Sequence, residues 1–448
     1  MNYTFRTEND KNAFEEFVLA NGGIYMQSAK WAEVKKEWHS TLYSGFDGNG
    51  TRVLTALVMD RHIPLAGKIS YCPAGAVCDL HNAELVKAFA DFMKKEMKKN
   101  GITALFFDPC VELRVNGEKK AEGKAVHDTL TSCGFMLNTD ASKCLYKSPV
   151  QLILPLKDSS GVPYTPEKLL KGFEKGIRYS VRIGEGRGLT EAVYTIDDIK
   201  KDPSIMHDFL DVMHDTSSRD DFVERSGDYC ERLLEVFGKD GMDIMLVYYD
   251  KKKDAAQQKQ RLERKAELEK ALPDAPLKRQ KGIKEEIESI DRQTEHFETR
   301  VKETSGDSRE KICVSGGLTV HYNKMSSCLF GGAKDLLRNE LRSSHYFNFR
   351  RICRSLALNN DYHDLGYVLL KKTDPDTDGT LGECVPQDNF EGICAFKKSF
   401  GADYIEYIGE YVLIADKIKY FSYSHLIDPA REAQAVVNRI VRKGRNKE

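Results

Sequence analysis

Two lysines late in the chain are the residues whose type and setting best suit chemistry. Lys397 and Lys398 stand between Phe396 and Phe400 in EGICAFKKSFGADYIEYIGEYVLI, just before Gly401 and an apolar run. These apolar residues predict that the lysines lie at the end of a strand. Fixed positive charge at the end of an apolar segment, so late in the chain, is the feature that needs an explanation. The alternative is that both lysines are surface residues at a strand end.

Asp108 is a candidate of a different kind, because it closes the apolar segment ITALFF at Asp108-Pro109. A carboxylate at a strand end can act as a general base, but turn chemistry alone also explains it. The adjacent pair His363-Asp364 in DYHDLGY is explained adequately by loop hydration.

Three further basic residues stand beside aromatic or acidic neighbours. Lys35 lies four residues after Trp31 on the same side of a predicted helix, where lysines often pack their alkyl chain beside a tryptophan. Arg219 and Arg225 stand among acids in SSRDDFVERSGDYCERL. Surface ion pairs are the safer explanation for both arginines.

A predicted helix over residues 167–183 has the clearest basic face. Lys171, Lys175, Arg178 and Arg182 recur at spacings of four, three and four, which places them on one side of the helix. Such a face can bind phosphates through charge and bidentate hydrogen bonds. A solvated helix surface is an equally good explanation.

Several catalytic motifs are absent. The sequence contains no GxxxxGK[ST] phosphate loop, no HExxH motif and no GxSxG motif. These absences argue against the common nucleoside-triphosphate enzymes, zinc peptidases and serine hydrolases.

Length and charge limit the class of protein. The 448 residues predict two or three domains. The net charge is −1, whereas proteins that coat nucleic acid are usually strongly basic. Any contact with nucleic acid is therefore expected to be local.

The cysteines and the apolar segments point to the compartment. The eleven cysteines are scattered without a CxxC pair, so we expect reduced thiols, mostly in the core, and no metal. The charged start MNYTFRTENDKNAF lacks a secretory apolar region, and no apolar run approaches the roughly 20 residues of a membrane span. These features predict a cytosolic protein, with peripheral membrane attachment left open.

The coarse pattern indicates two related α/β halves. Residues 1–150 alternate strands (51–59 and 102–107) with an amphipathic helix over 83–100, which ends before Gly101. A similar plan restarts at Gln151. Its further predicted elements are helices over 206–213, 229–237 and 353–359 and strands over 243–249, 312–322 and 367–370.

Residues 251–304 differ from both halves because they are dense in charge and poor in aromatic residues. Pro273 and Pro276 divide them into two helical stretches. The second stretch has a heptad seam, and the first matches less cleanly through Ala255, Leu262 and Ala266. We predict an antiparallel coiled-coil arm; a solvated linker is the alternative. The seam residues are Ile283, Ile287, Ile290, Thr294, Phe297 and Val301.

Six stretches occur in an order and spacing that point to one family. They are YMQSAKWAEVKKEW, ISYCPAGAVCD, LFFDPCVELR, SSRDDFVERSGDYCERLLEVF, CLFGGAKDLLRNELRSSHYFNFRRICRSLALNNDYHDLGYV and FKKSFGA. Together they resemble the Fem family of peptidoglycan-bridge aminoacyltransferases over nearly the whole chain. There are departures from the family pattern. Ala74 and Ala76 replace arginine and proline, Phe330 and Tyr367 replace tyrosine and glycine, and Ala402 replaces the last glycine.

The resemblance implies an α/β fold with two tandem acetyltransferase-like (GNAT) domains. Domain one would comprise residues 1–150 together with a last helix over 424–448. Domain two would comprise 151–250 and 309–423, interrupted by the arm over 251–308.

The resemblance also implies the reaction. Members of the family take an amino acid from aminoacyl-tRNA and join it to an amine of the peptidoglycan precursor's stem peptide. The ester is already activated, so neither ATP nor a cofactor is expected. The match places Lys397 at the oxyanion and Phe396 where it limits water access. Asp108 becomes a candidate base for the amine, although the terminal hydroxyl of the RNA could carry the proton instead.

The same match implies residues for substrate binding. Lys35 and Arg219 would bind the diphosphate of the nucleotide-linked precursor, with Arg225 as the substitute if the alignment shifts. Tyr71 and Tyr367 are expected at the substrate site. The expected acceptor is UDP-MurNAc-pentapeptide or the lipid-linked precursor, and the protein is expected to be a monomer.

The tRNA should be held by clusters of positive charge, which give affinity without base specificity. Residues 251–304 contain fifteen Lys or Arg against twelve Asp or Glu, a small excess. The arm could equally dock a protein. The candidates for contact with tRNA are Lys171, Lys175, Arg178 and Arg182 on the basic helix, with Lys278 and Arg279 near the turn of the arm.

Two other functions remain open at this point. One is a GNAT acyltransferase that uses acyl-CoA, although no clean R/QxxGxG/A turn for its pyrophosphate is visible. The other is a non-catalytic coiled-coil adaptor with decayed GNAT domains. The sequence does not show which amino acid is transferred, which precursor accepts it, or its position in the bridge.

Overall fold

The computed structural model describes residues 2–63, 67–144, 147–220 and 224–424. The chain divides into two compact units. The first unit contains the chain up to Leu152, Tyr367–Phe396 and the residues from Asp403 onward, and the second contains Ile153–Gly366 and Lys397–Ala402. The sequence-based boundaries differ from this division, since they kept 309–423 together. Apart from Ser424, the predicted last helix lies outside the described residues.

Strands and helices alternate in the first part of the chain. The elements are β1 (Thr4–Thr7), α1 (Lys11–Ala20), α2 (Ala29–Val34), β2 (His39–Phe46), β3 (Arg52–Ile63), β4 (Gly67–Cys72), β5 (Val77–Cys78), α3 (Ala83–Lys99), β6 (Ile102–Phe107), β7 (Glu112–Val115), β8 (Glu118–Lys119), α4 (Ala121–Ser132), β9 (Phe135–Leu137) and β10 (Val150–Pro155).

The middle of the chain is richer in helix. Its elements are α5 (Pro166–Gly172), α6 (Lys175–Gly186), β11 (Leu189–Tyr194), α7 (Ile196–Lys201), α8 (Ser204–Asp220), α9 (Gly227–Phe237), β12 (Met242–Asp250), α10 (Lys251–Ala271), α11 (Leu277–Glu303), β13 (Lys311–Tyr322), β14 (Met325–Ala333), α12 (Arg338–Leu341), α13 (Ser343–Ala357) and β15 (Tyr362–Tyr367).

At the end of the described chain, the two late lysines lie in a helix and not at the end of a strand, as the sequence had predicted. Its elements are α14 (Asp388–Lys398), β16 (Asp403–Tyr407), β17 (Tyr411–Ile414) and α15 (Lys417–Ser422). Lys397 and Lys398 form the last turn of α14 rather than the end of a strand. Gly401, at φ +78°, turns the chain into β16. Cationic side chains are favourable in this last turn because it carries the negative end of the helix dipole.

The sheet of the first unit is built around β6, whose six residues are all buried. Its strand order is β1-β2-β3-β4-β6-β17-β9, and β5 pairs with β3. The pair β4–β6 is parallel, so Tyr71 faces Phe106 at the strand ends. The apolar face of α3 packs against β6, and each large apolar side chain buried there contributes roughly 1.5–3 kcal/mol.

The sheet of the second unit places β11-β12-β13-β14-β15 side by side. The pair β14–β15 is parallel, and the other three pairs are antiparallel. Helix α8 approaches β14 so closely that a Cβ on Gly332 would stand 2.1 Å from Thr216 Oγ1. Glycine is therefore required at this position to let the helix reach the sheet.

The predicted helix over 167–183 forms as two helices, α5 and α6. Phe173 takes an extended conformation between them, with its ring centroid 5.3 Å from that of Phe400. Arg178 Nη1 donates to the carbonyls of Lys171 and Phe173, which stabilises the end of α5. The prediction of one continuous basic face was wrong, because burial of Phe173 breaks the helix and separates Lys171 from the α6 residues.

Residues 251–303 form a hairpin of two antiparallel helices, α10 and α11. Ile283 and Ile290 pack with Leu268 in its apolar seam. The seam predicted for the first helix was wrong at Leu262, which is 47% exposed. Asp254 and Gln258 are buried on that helix instead, because α11 supplies polar partners for them. The heptad packing of a coiled coil stays a prediction.

The root of the hairpin is held by a buried ion pair. Arg300 and Asp254 are both 0% exposed and bond at 2.8 and 2.9 Å. Tyr249 Oη also donates to Asp254 at 2.8 Å. Losing one partner of such a pair costs roughly 3–5 kcal/mol, because the other charge stays buried without compensation.

The described residues contain neither a candidate membrane span nor a candidate metal site. None of their helices is both long and apolar enough to cross a membrane. No group of three or more His, Cys, Asp or Glu side chains within these ranges is arranged to hold a metal ion.

Candidate active site

Asp108 is the centre of a buried polar cluster in the first unit. It follows β6 directly and is 6% exposed. Its Oδ2 accepts a hydrogen bond from Tyr71 Oη at 2.8 Å, and its Oδ1 accepts one from the backbone N–H of Ala74 at 2.7 Å. Two of the predicted site residues, Asp108 and Tyr71, therefore lie together.

Burial sets the acidity of this cluster. It raises the pKa of Asp108 to about 6, while the charge of Lys147 and the bonds from Tyr71 and Ala74 oppose the rise. Burial and the neighbouring carboxylate raise the pKa of Tyr71 well above its ordinary value. Near neutral pH the pair is therefore a carboxylate accepting a hydrogen bond from a neutral phenol.

Lys147 completes the cluster, and the sequence offered no pattern that would have singled it out. Its Nζ lies 2.8 Å from Cys110 Sγ and 4.6 Å from the ring centroid of Tyr407. A small cavity beside the cluster is lined by Asp108, Pro109, Lys147, Ser148, Pro149, Tyr407 and Gly409. The lysine and the carboxylate thus share one space, although they are 39 residues apart in the chain.

The turn beside Asp108 is held by the first sequence motif. Ala74 and Gly75 both have positive φ, at 56° and 74°. Gln27 Nε2 donates to their carbonyls at 3.0 and 3.1 Å. Ser28 caps α2 by accepting from the N–H of Trp31. The glutamine and serine of YMQSAKW therefore have structural roles that fix this turn and the following helix.

Lys35 sits at the end of α2, with its Nζ 4.8 Å from the ring of Trp31. The side chain is half-buried. This is the lysine–tryptophan packing considered from the sequence. A cation held over an aromatic ring in this way keeps a defined position.

Lys397 is the centre of a second cluster, in the other unit. Its Nζ lies 3.5 Å from the point that a Cβ on Gly366 would occupy, and Gly366 has φ +85°. Burial raises the pKa of Cys328 to about 11, and the charges of Arg351 and then Lys397 oppose this rise. The ammonium is therefore directed at the strands β14 and β15. Phe396, one residue earlier, is half-buried.

A buried histidine contacts Cys328, the same thiol that Lys397 influences. His363 is 0% exposed; its Nδ1 lies 2.6 Å from Ser355 Oγ and its Nε2 lies 3.4 Å from Cys328 Sγ. Burial and then the charge of Arg351 hold its pKa well below the ordinary value. The interpretation of His363-Asp364 as a hydrated loop was wrong, because both residues are buried on β15.

The two candidate arginines differ in their surroundings. Arg219 donates to Asp220 at 2.9 Å, to Asp335 at 3.0 Å and to the carbonyl of Ala333 at 2.8 Å. Burial opposes the charged form of Arg219, but the bonds to Asp220 and Asp335 raise its pKa. Arg225 is exposed, with its guanidinium carbon 5.5 Å from the ring of Tyr229. Arg225 is therefore the more accessible to a ligand.

The remaining candidates lie at the surface. Tyr367 is 57% exposed at the end of β15. Lys171, Lys175 and Arg182 are exposed, and Arg178 is half-buried. Lys278 and Arg279 are exposed in the first turn of α11, beside the turn of the hairpin.

Comparison with known proteins decides the family. A match to the FemAB family extends over residues 10–427. The chain belongs to the FemAB family.

Curated relatives in this family carry a consistent name. A lipid II:glycine glycyltransferase of Staphylococcus aureus (strain MRSA252) is 25% identical over 421 residues, covering 91% of this chain and 92% of the relative. The protein of the same name from Staphylococcus epidermidis (strain RP62A) is 24% identical over 425 residues, covering 93% of each. The predicted enzyme class, a transferase that forms amide bonds, is confirmed.

The FemAB fold is also seen by structural comparison. The crystal structure of FemX superposes with a TM-score of 0.71 at 22% identity and covers 95% of this chain and 100% of its own. The predicted α/β class is confirmed, since two mixed sheets are present. The roles of individual residues in this FemAB protein remain predictions.

Proposed function

We propose that this protein transfers an amino acid from aminoacyl-tRNA to the stem-peptide amine of a lipid-linked peptidoglycan precursor, as a step of interpeptide bridge synthesis. Glycine is the proposed amino acid. One observation carries the proposal: relatives that match more than nine-tenths of the chain are named lipid II:glycine glycyltransferases. The reaction would take place in the cytoplasm, at the inner face of the membrane, and the enzyme would act as a monomer.

Lys397 is the proposed electrostatic catalyst. The acceptor amine attacks the ester carbonyl, and the carbonyl oxygen becomes an oxyanion. An ammonium directed at that oxygen stabilises it by about 3 kcal/mol. The position of Lys397 in the last turn of α14, with its Nζ at Gly366, supports this role. Phe396 would limit access of water to the ester.

Asp108 is the proposed proton acceptor for the amine. A general base works best when its pKa lies near the working pH, and burial raises the pKa of Asp108 to about 6. Each carboxylate oxygen accepts one hydrogen bond, from Tyr71 or from Ala74, and keeps a second lone pair that can accept a proton. The terminal hydroxyl of the tRNA is the alternative acceptor.

Binding roles are assigned to the remaining candidates. We propose that Lys35 in the first unit and Arg225 in the second unit are phosphate-binding residues, with Arg219 stabilising the end of α8. Tyr71 and Tyr367 would contact the acceptor. The surface lysines and arginines of α5, α6 and the hairpin would bind tRNA phosphates. These are Lys171, Lys175, Arg178, Arg182, Lys278 and Arg279.

The test is a substrate matrix with purified protein. Radiolabelled amino acids on tRNA would be offered with lipid II and, separately, with UDP-MurNAc-pentapeptide, and labelled precursor would be measured. We expect transfer of glycine to lipid II that disappears when the tRNA is treated with RNase beforehand. Transfer from glycyl-CoA but not from glycyl-tRNA would contradict the proposal.

A further inference from the structure

The eleven cysteines do not share one environment. Six are buried, and burial prevents reaction with reagents in solution. The other five belong to residues that are partly exposed. They are Cys78, Cys110, Cys144, Cys328 and Cys353.

Four of these five cysteines have thiols that stay protonated at neutral pH. Burial raises the pKa of Cys78 to about 12, and it raises those of Cys328 and Cys353 to about 11. Burial and the carboxylate of Glu410 raise the pKa of Cys144 well above its usual value. Only the thiolate is a good nucleophile, so these four cysteines should react slowly at neutral pH.

Cys110 has a different neighbour. The ammonium of Lys147 lies 2.8 Å from its sulfur, within hydrogen-bonding distance. The lysine is held there from its other side by the ring of Tyr407, whose centroid is 4.6 Å from Nζ. A positive charge in contact with a sulfur favours the thiolate.

We propose that Cys110 is a reactive thiol, activated by Lys147, and that it is the site on this protein at which small soft electrophiles form a covalent adduct. In the reaction with an alkyl halide, the sulfur forms a bond to carbon as the carbon–halogen bond breaks. Halide leaves with the bonding electrons, and the thiol proton passes to solvent. The lysine remains protonated throughout.

Asp108 opposes this effect, because it stands two residues before Cys110 and its carboxyl group, with a pKa of about 6, is negative at neutral pH. Hydrogen bonds donated by Tyr71 Oη and by the backbone N–H of Ala74 partly offset this negative charge. The ammonium, in contrast, touches the sulfur directly. This contact is the observation on which activation of the thiol by Lys147 rests.

Alkylation kinetics test this proposal without any transfer assay. The full-length protein would be treated briefly with iodoacetamide at pH 7, digested, and each of the five partly exposed cysteines quantified by mass spectrometry. We expect Cys110 to be labelled at least about tenfold faster than each of the other four, since one unit of pKa is a factor of about ten in thiolate.

Three variants separate activation from simple exposure. Lys147→Met should slow labelling of Cys110 by about tenfold, and Lys147→Arg, which keeps a cation, should retain most of the rate. Lys143→Met, which removes a nearby exposed lysine, should leave the rate unchanged. Thermal melts would confirm that the variants are folded. Labelling of Cys110 no faster than that of Cys353, or an unchanged rate in folded Lys147→Met, would overturn the proposal.

Discussion

The clusters around Asp108 and Lys397 contain similar side chains in different electrostatic states. Each has a lysine and a cysteine. In the first unit, Lys147 touches Cys110, and the carboxylate of Asp108 has a pKa raised to about 6. In the second unit, the thiol of Cys328 lies against the buried ring of His363, whose pKa is held well below the usual value.

This difference is the basis of the division of labour that we propose. The cluster of the first unit contains a group that changes charge near the working pH, which suits transfer of a proton. Around Lys397, the imidazole of His363 and the thiol of Cys328 both stay uncharged near neutral pH. The ammonium is therefore the charged group of these three. Such a cluster suits stabilisation of an oxyanion at any pH at which the lysine is protonated.

The largest expected effect on kcat is that of Lys397→Met. This change removes the proposed oxyanion charge and should lower kcat by about a hundredfold to a thousandfold. Lys398→Met is the matched control, since it removes the adjacent exposed lysine of the same helical turn and should change kcat by less than about twofold. Single-turnover transfer from glycyl-tRNA measures both. Equal losses in the two variants would show that only the charge of the helix end matters.

Asp108→Asn should have the next largest effect. It keeps the shape of the side chain but replaces one acceptor oxygen with an NH2 donor and cannot accept a proton, so kcat should fall by about a hundredfold. Glu118→Gln, which removes an exposed carboxylate of the same unit, serves as the control and should leave kcat unchanged. Wild-type kcat in folded Asp108→Asn would assign the carboxylate a purely structural role in holding the turn at Ala74.

Gly366→Ala should have a moderate effect on both stability and activity. Alanine at φ +85° is strained by about 1 kcal/mol, and its Cβ would touch the ammonium of Lys397. We expect a lower melting temperature and a severalfold lower kcat with little change in KM. Gly392→Ala, in the exposed part of α14 with open space around it, should be neutral or slightly stabilising. Chemical denaturation and steady-state kinetics would check both variants.

Lys147→Met should produce the smallest change, a shift of the pH profile. The charge of Lys147 lowers the pKa of Asp108, so its removal should raise that pKa further. The ionised carboxylate then forms at higher pH, and the acid limb of kcat should move upward by on the order of one pH unit. A downward shift would contradict the sign of this interaction.

Local sequence patterns were sufficient to predict the elements whose apolar residues form a regular pattern along the chain. The strand β6 and the helix α3 follow directly from ITALFF and AELVKAFADFMKKEMKK. The helix around Lys397 was missed, because EGICAFKK carries apolar residues compatible with a strand. The break at Phe173 was also missed, since it depends on Phe400, more than two hundred residues away.

The candidate site shows the same limit. The motif that ends in Asp108 was visible, whereas Lys147 was not, because nothing in its own surroundings marks it. Its role depends on the packing of Cys110 and Tyr407 against it. Likewise, His363 gave no indication of burial, because the partners that accommodate its ring, Ser355 and Cys328, come from α13 and β14. Contacts between distant segments carry no local pattern.

The most direct test of the division of labour is the pH dependence of kcat in three proteins. Wild type, Asp108→Asn and Lys397→Met would be compared from pH 5 to pH 9 by single-turnover transfer of glycine to lipid II. We predict an acid limb near pH 6 in wild type, the same limb at a uniformly lower rate in Lys397→Met, and no limb in Asp108→Asn. A limb that persists in Asp108→Asn, or that disappears in Lys397→Met, would contradict the account.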